Sequence, residues 1–167
     1  MSASLTSPLR ILLIEDNPND ARLVRRHLKK SDSALLPAAV EFYHAESLDE
    51  GVALATDHTL DLLLLDLGLP ESEGPNTYVR AHDQLPQLPI VVLTNLDDDQ
   101  AAVDLLNQGA QDYLNKQSLN QKNLIRAVRY AIERWERQLE LEQYERIVET
   151  MDDAALIVNR DLNVVYA

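Results

Sequence analysis

The sequence predicts an α/β fold, a doubly wound five-stranded parallel sheet followed by an extended C-terminal helix, on three observations. Short apolar runs recur at Arg10-Ile-Leu-Leu-Ile14, Asp61-Leu-Leu-Leu-Leu-Asp66 and Leu88-Pro-Ile-Val-Val-Leu93. They are too short for a globular helix of usual length and too apolar for exposed loops, which suits strands buried on both faces. Segments with helical starts and stops alternate with them, and strands joined through helices by short loops specify a parallel sheet covered on both sides. Acids stand where two of the runs emerge, Glu15 and Asp16 after the first and Asp66 at the end of the leucine run. An ionised carboxylate beside so apolar a run is costly unless a cation, a hydrogen-bond network or water compensates it.

In chain order, residues 1–8 form a small polar tail and Arg10 to Ile14 the first strand. Asn17 is placed to N-cap a helix, with Pro18 at its first position, where a missing donor costs nothing, and Asp20 as the acid of its first turn. Ala21 to Lys30 carries that helix, with Leu23, Val24 and Leu28 on one face. Ala38 to Ala45 alternates around Val40 and Phe42 as a second strand. Ser47 and Glu50 make a capping box that opens a helix through Ala55. Asp61 to Asp66 is the third strand, Gly68, Pro70 and Gly74 mark a loop, and a helix follows from Pro75 to Asp83. Leu88 to Leu93 is the fourth strand, ending at Thr94-Asn95. Asp97, Asp98 and Asp99 precede a helix over Ala101 to Gln108, which Gly109 stops. Gln111 to Asn115 is the fifth strand, and Lys116 follows at once.

Composition narrows the function classes. The chain has 167 residues, 46% hydrophobic, enough for an ordinary domain with something appended. The absence of cysteine removes disulfides, thiol catalysis and thiolate metal sites. No segment offers the roughly 18 uninterrupted apolar residues of a membrane span, and no targeting segment stands at Met1 to Pro8, so no membrane and a cytoplasmic location are expected. A net charge of -13 argues against a nucleic-acid surface, which needs clustered Lys and Arg. The acids are spread along the chain and Arg outnumbers Lys eleven to four, a surface suited to a high-salt cytoplasm where screening weakens self-repulsion.

Right-handed crossovers leave few ways to wind such a sheet. The flavodoxin-like order 2-1-3-4-5 is favoured because strands 1 and 3 then meet at a switch point, bringing Glu15, Asp16 and Asp66 to one edge. Three carboxylates that close cannot all stay ionised unless a cation joins them. Oxygen ligands with no His or Cys nearby in sequence point to a hard ion, and Mg2+ with several retained waters fits best.

The chain resembles the receiver domain of two-component response regulators over about residues 9–130. The likeness is carried by the acid pair Glu15-Asp16 after strand 1, by Asp66, Pro70 and Gly74 spaced Asp-x-x-x-Pro-x-x-x-Gly after strand 3, and by three later residues: Thr94 ending strand 4, then Tyr113 three residues before Lys116 at the end of strand 5. It implies that Asp66 accepts a phosphoryl group from a phosphohistidine on a partner sensor histidine kinase. It also implies Mg2+ held by Glu15, Asp16, Asp66 and the backbone carbonyl of Gly68, with Lys116 and the Thr94 hydroxyl neutralising phosphoryl charge. Thr94 and Tyr113 would form the switch that alters the surface of helix 4, strand 5 and helix 5. Three departures stand out. Asn95 replaces the small residue usual after Thr94. Gln117 replaces the usual proline, and a cis bond there would cost ~3 kcal/mol, so the loop is either trans and shifted or strained. Gly68 offers no side chain to shield or orient water.

From Asn120 the pattern is helical for about thirty residues. Ile125, Val128, Ile132, Trp135 and Leu139 follow coiled-coil spacing, and Leu141, Tyr144, Val148 and Met151 continue it in a shifted phase. Residues 131–151 therefore read as a coiled-coil linker and a parallel homodimer is expected, although Leu124, Ala127, Val128 and Ala131 must pack the first turns on the sheet. Residues 152–167 hold two β-rich runs around Asn159-Arg-Asp161 that look like the opening hairpin of a PAS domain, preceded by a short helix near Ile147 to Met151. The chain stops inside the second run, so a longer protein with a further output module is expected.

Two other readings compete with a phosphorylation-controlled receiver that signals through this helix. A hydrolase of the haloacid dehalogenase type also uses Mg2+ and a strand-end Asp, but it needs a second acid two residues on, where this chain has Gly68. A receiver-like scaffold that dimerises without phosphorylation is opposed by the acids, Thr94 and Lys116, and Asn95 leaves it open. Catalysis beyond self-phosphorylation and autodephosphorylation is not expected.

Overall fold

The computed structural model describes residues 8–29, 36, 39–72, 74–95, 99–149, 157–158 and 164–166. Five parallel strands, β1 (Leu9–Ile14), β2 (Val40–Ala45), β3 (Leu62–Asp66), β4 (Ile90–Thr94) and β5 (Asp112–Asn115), form one sheet in the order β2-β1-β3-β4-β5. Helices α1 (Pro18–Lys29), α2 (Leu48–Asp57), α3 (Pro75–Gln84), α4 (Asp99–Asn107) and α5 (Gln121–Glu149) follow the strands in turn. The predicted fold class and winding are both present.

Alternation along the strands divides the apolar residues into two cores, because successive side chains leave opposite faces of a sheet. Ile11, Leu13, Leu62, Leu64, Val91 and Leu93 meet Ala21, Val24 and Leu28 of α1 and the first turns of α5. Leu12, Ile14, Leu63, Leu65, Ile90 and Val92 meet Leu48, Tyr78, Ala81 and Leu105 from α2, α3 and α4. All four leucines of β3 are fully buried, each stabilising the fold by roughly 1.5–3 kcal/mol. α2 lies so close to β1 that a Cβ added at Gly51 would collide with the Ile14 side chain.

Local signals set the helix starts. Asn17 Oδ1 accepts from the Asn19 amide at 2.9 Å, as an N-cap should. Ser47 Oγ accepts from Glu50 N at 3.2 Å, but the Glu50 carboxylate accepts from Glu46 N at 2.8 Å, one residue before the partner a reciprocal capping box would use.

The chain divides into two compact units, Met1–Glu133 and Arg134–Ala167. In the first, Leu124, Ile125, Ala127, Val128 and Ala131 are buried and Ile132 packs against the same core. The first turns thus pack on the chain's own sheet as expected, and Ile125 and Ile132, which also carry the coiled-coil spacing, join Val128 there. The wider apolar stripe of a helix covering a sheet includes the narrower one of a coiled-coil seam, so seam spacing alone does not separate the two. In the second unit α5 continues with Leu139, Leu141, Tyr144 and Ile147 exposed. Ile147 to Glu149 close α5 instead of starting a separate short helix. β6 (Ile157–Val158) and β7 (Val164–Tyr166) pair antiparallel, as the two β-rich runs suggest. The tail before Pro8, Lys30, the start of strand 2 at Ala38, Asp97, Asp98, Met151 and the turn at 159–161 lie outside the described residues.

Candidate functional site

Strand register assembles one rim of the sheet. Ile14 pairs with Leu65, so Glu15 emerges beside Asp66; Asp66 pairs with Leu93, and Thr94 pairs with Asn115, so Lys116 comes out next to Thr94. Carboxyl ends of parallel strands are where open α/β sheets hold ligands. Glu15, Asp66 and Thr94 are buried, and Asp16 is half-buried.

Glu15, Asp16 and Asp66 each offer a carboxylate oxygen, all within 4.8 Å of one another. Lys116 closes the cluster: its Nζ stands 2.5 Å from Glu15 Oε2, 2.9 Å from Asp66 Oδ1 and 3.2 Å from Asp20 Oδ2. The contact with Glu15 Oε2 is a meeting of charges without hydrogen-bond alignment, so this buried oxygen still has an acceptor site to fill. Burial pushes the Glu15 carboxyl up to about 7; Lys116 pulls it back and the charge of Asp66 adds to the rise. Burial would lower the Lys116 ammonium, but its close contacts with Glu15 and Asp66 and their charges outweigh it and hold it above its ordinary value. Burial and the charge of Asp66 both disfavour the ionised form of Glu15, and a further cation at the cluster would favour it. The donor set, all oxygen and mostly anionic, suits a hard divalent ion such as Mg2+.

Asp66 opens onto a cleft of about 510 Å3 lined by Leu67, Gly68, Leu69, Pro70, Gly74, Thr94 and Asn95. Gly68 is exposed, and a Cβ there would come 3.3 Å from Asp66 Oδ2, so glycine keeps that oxygen accessible. The loop itself is fixed: Gly74 N and the Thr77 hydroxyl both donate to the Leu67 carbonyl, and Arg80 donates to the carbonyl of Glu71, whose side chain accepts from Leu48 N at the start of α2. Asn95 is an exposed part of the cleft wall. Tyr113 is half-buried against the α2–α4 core and outside that lining.

The Lys116–Gln117 bond is trans. Lys116–Ser118 forms a 3-10 turn whose Gln117 amide donates to Asn115 Oδ1 at 2.8 Å. That donor, which proline would lack, is the local reason a glutamine serves here.

Two residues of the site were not foreseen. Asp20 reads in sequence as a helix-dipole acid, yet it is a third carboxylate on Lys116; its place four residues after Asp16 was the available signal. His44 Nε2 donates to the Glu15 backbone carbonyl at 2.8 Å from the neighbouring strand, where Leu13 pairs with His44. Only strand pairing brings them together.

The family model for the response regulator receiver domain matches residues 11–129. The transcriptional regulatory protein PhoP of Escherichia coli is 34% identical over 108 residues, covering 65% of this chain and 45% of that protein. The virulence transcriptional regulatory protein PhoP of Salmonella typhimurium is 33% identical over the same length and with the same coverage. The chain thus spans under half the length of these relatives. Among solved structures, the signal receiver domain of an HD domain-containing protein from Pseudomonas fluorescens superposes with a TM-score of 0.67 at 24% identity, covering 83% of this chain and 96% of that one. A CheY-like receiver domain protein from Methanospirillum hungatei gives 0.64 at 23%, covering 79% and 99%. At these identities the two structures speak for the fold.

Proposed function

The chain belongs to the response regulator receiver domain family, and from that premise we propose that Asp66 is the phospho-acceptor of a two-component phosphorelay, charged by a sensor histidine kinase. The observation that carries this reading is the buried Glu15–Lys116–Asp66 contact at the mouth of a cleft that leaves Asp66 Oδ2 open. Lys116 engages Oδ1, so Oδ2 is the oxygen that attacks phosphorus. The new P–O bond forms as the P–N bond of phosphohistidine breaks, and the electron pair returns to the imidazole, which takes up a proton. The Lys116 ammonium, already desolvated and hydrogen-bonded, remains charged beside the added phosphoryl oxygens. The Thr94 hydroxyl, on the wall of the same cleft, donates to one of them. When bound, Mg2+ neutralises phosphoryl charge, and Glu15, Asp16, Asp66 and the Gly68 carbonyl are the groups that would hold it.

Movement of Thr94 towards the phosphoryl group and of Tyr113 into the vacated space is the proposed switch, changing the surface of α4, β5 and α5. Gly68 leaves the acyl phosphate unshielded on one side, and Asn95 is placed to orient or exclude water on another, so these two set its lifetime. The second half of α5, with Trp135, Leu139 and the shifted-phase residues after it, would pair with a second copy and pass the state to a PAS-type module in the cytoplasm.

The test is incubation with Mg2+ and a small phosphodonor or beryllofluoride, read by mass spectrometry and by molecular size. Wild type is expected to take up one group and change its self-association, and Asp66→Asn to take up none. Uptake by Asp66→Asn equal to wild type would remove Asp66 from the role.

A further inference from the structure

Asp20 is the third residue of α1 after the cap Asn17, a place from which a first-turn carboxylate can reach back to the amide of the cap. It makes no such bond here. The Asn17 amide donates to Glu15 Oε1 at 3.1 Å and the Asn19 amide to Asn17 Oδ1 at 2.9 Å. With the helix start satisfied by these two, Asp20 Oδ2 accepts from Lys116 Nζ at 3.2 Å, across 96 positions of sequence. A first-turn acid also favours the helix dipole. That effect needs only a charge in water, whereas the Asp20 side chain is 31% exposed and meets a lysine side chain that is 8% exposed.

A lysine is a flexible four-carbon stem ending in a point charge with three rotatable donors, so its acceptors decide where it stands. Glu15 and Asp66 alone would leave the ammonium free to slide along the Asp66 carboxylate and cover Oδ2, the oxygen that faces Gly68. Asp20 pulls from elsewhere. α1 packs on one face of the sheet, and the loop through Gly68 leads to α3 on the other. The pull of Asp20 is therefore directed away from the Gly68 side, and Lys116 stays on Oδ1.

We propose that Asp20 is a positioning residue for the acceptor site, holding the Lys116 ammonium on Asp66 Oδ1 so that Oδ2 stays free for phosphorus. The inference rests on the reading of Asp66 as phospho-acceptor and adds a residue that acts through the lysine alone. Once Oδ2 is occupied, the same bond keeps the ammonium where its other donors reach the added oxygens, which is where a misplaced charge loses most of its effect.

The test compares Asp20→Ala, which removes charge and acceptor, with Asp20→Asn, which removes the charge and keeps an acceptor. Both lose the same support of the helix dipole, so an Asp20 with only that role would make the two variants alike. Beryllofluoride binding is followed by fluorine-19 NMR at saturating Mg2+, with melting temperatures measured alongside. Asp20→Ala is expected to bind about tenfold more weakly than wild type, and Asp20→Asn to recover to within about threefold. In the metal-free chain, nitrogen-15 NMR should show the Lys116 Nζ protons exchanging with water faster in Asp20→Ala than in wild type or Asp20→Asn. Equal losses in the two variants, wild-type binding by Asp20→Ala, or unchanged Nζ exchange would each overturn the proposal. So would a loss of Mg2+ affinity in Asp20→Asn as large as the loss of beryllofluoride in Asp20→Ala, since that would make Asp20 a cation ligand. Failure of wild type to take up beryllofluoride would sink the reading of Asp66, while the exchange of the Lys116 protons would still decide whether Asp20 holds the lysine.

Discussion

Glu15 is the residue on which the chemistry of the rim turns. Its carboxyl titrates near 7 when folded against an ordinary 4.5, because burial disfavours the charged form. The native state therefore binds more protons than the unfolded chain between those two values, and stability falls as pH rises through that window, by on the order of 3 kcal/mol at most. The raised Lys116 value acts elsewhere: its contribution is complete below the ordinary lysine value and is lost only as pH climbs through the folded one. A divalent ion binds the deprotonated Glu15, so added Mg2+ should raise the melting temperature more at about pH 8 than at about pH 5.5. Glu15→Gln should flatten the metal-free slope and remove most of the Mg2+ effect. Equal Mg2+ shifts at both pH values in wild type would show that Glu15 is not a ligand.

At the scale of elements, α2 approaches β1 closely behind the rim. Gly51 allows it, since any side chain there meets Ile14 in the core. Gly51→Leu should destabilise the fold by about 1–3 kcal/mol in denaturant unfolding, the usual cost of overpacking. A variant as stable as wild type would mean that α2 can move off the sheet freely. The element reading from sequence was strongest where period and caps agreed: the strand cores, Asn17 as a cap and the helix after Gly74 all stand where the pattern puts them. It missed the 3-10 turn after Lys116, because three residues carry no period. At the start of α5, Leu124, Ala127, Val128 and Ala131 pack on the sheet as the pattern requires, and Ile125 and Ile132, whose spacing also fits a coiled-coil seam, join them.

For the whole molecule, the exposed residues of the second half of α5 are the proposed means of self-association. Leu139 is 48% exposed and Tyr144 63% exposed, and apolar side chains at such spacing gain by pairing with a copy. Leu139→Glu should weaken self-association roughly tenfold or more in sedimentation velocity, with the receiver fold unchanged by circular dichroism. Association at the same concentration in wild type and variant would remove this helix as the contact.

The sequence by itself determined the alternation of strands and helices, the winding of the sheet and the acids, Thr94 and Lys116 at its carboxyl rim, because hydrophobic period and strand ends are local properties of a chain. Tertiary structure alone decided that Lys116 reaches Glu15, Asp66 and Asp20 together and that His44 holds the Glu15 carbonyl. Those contacts join residues 29 to 101 positions apart, and only the register of the packed strands brings them within reach of one another.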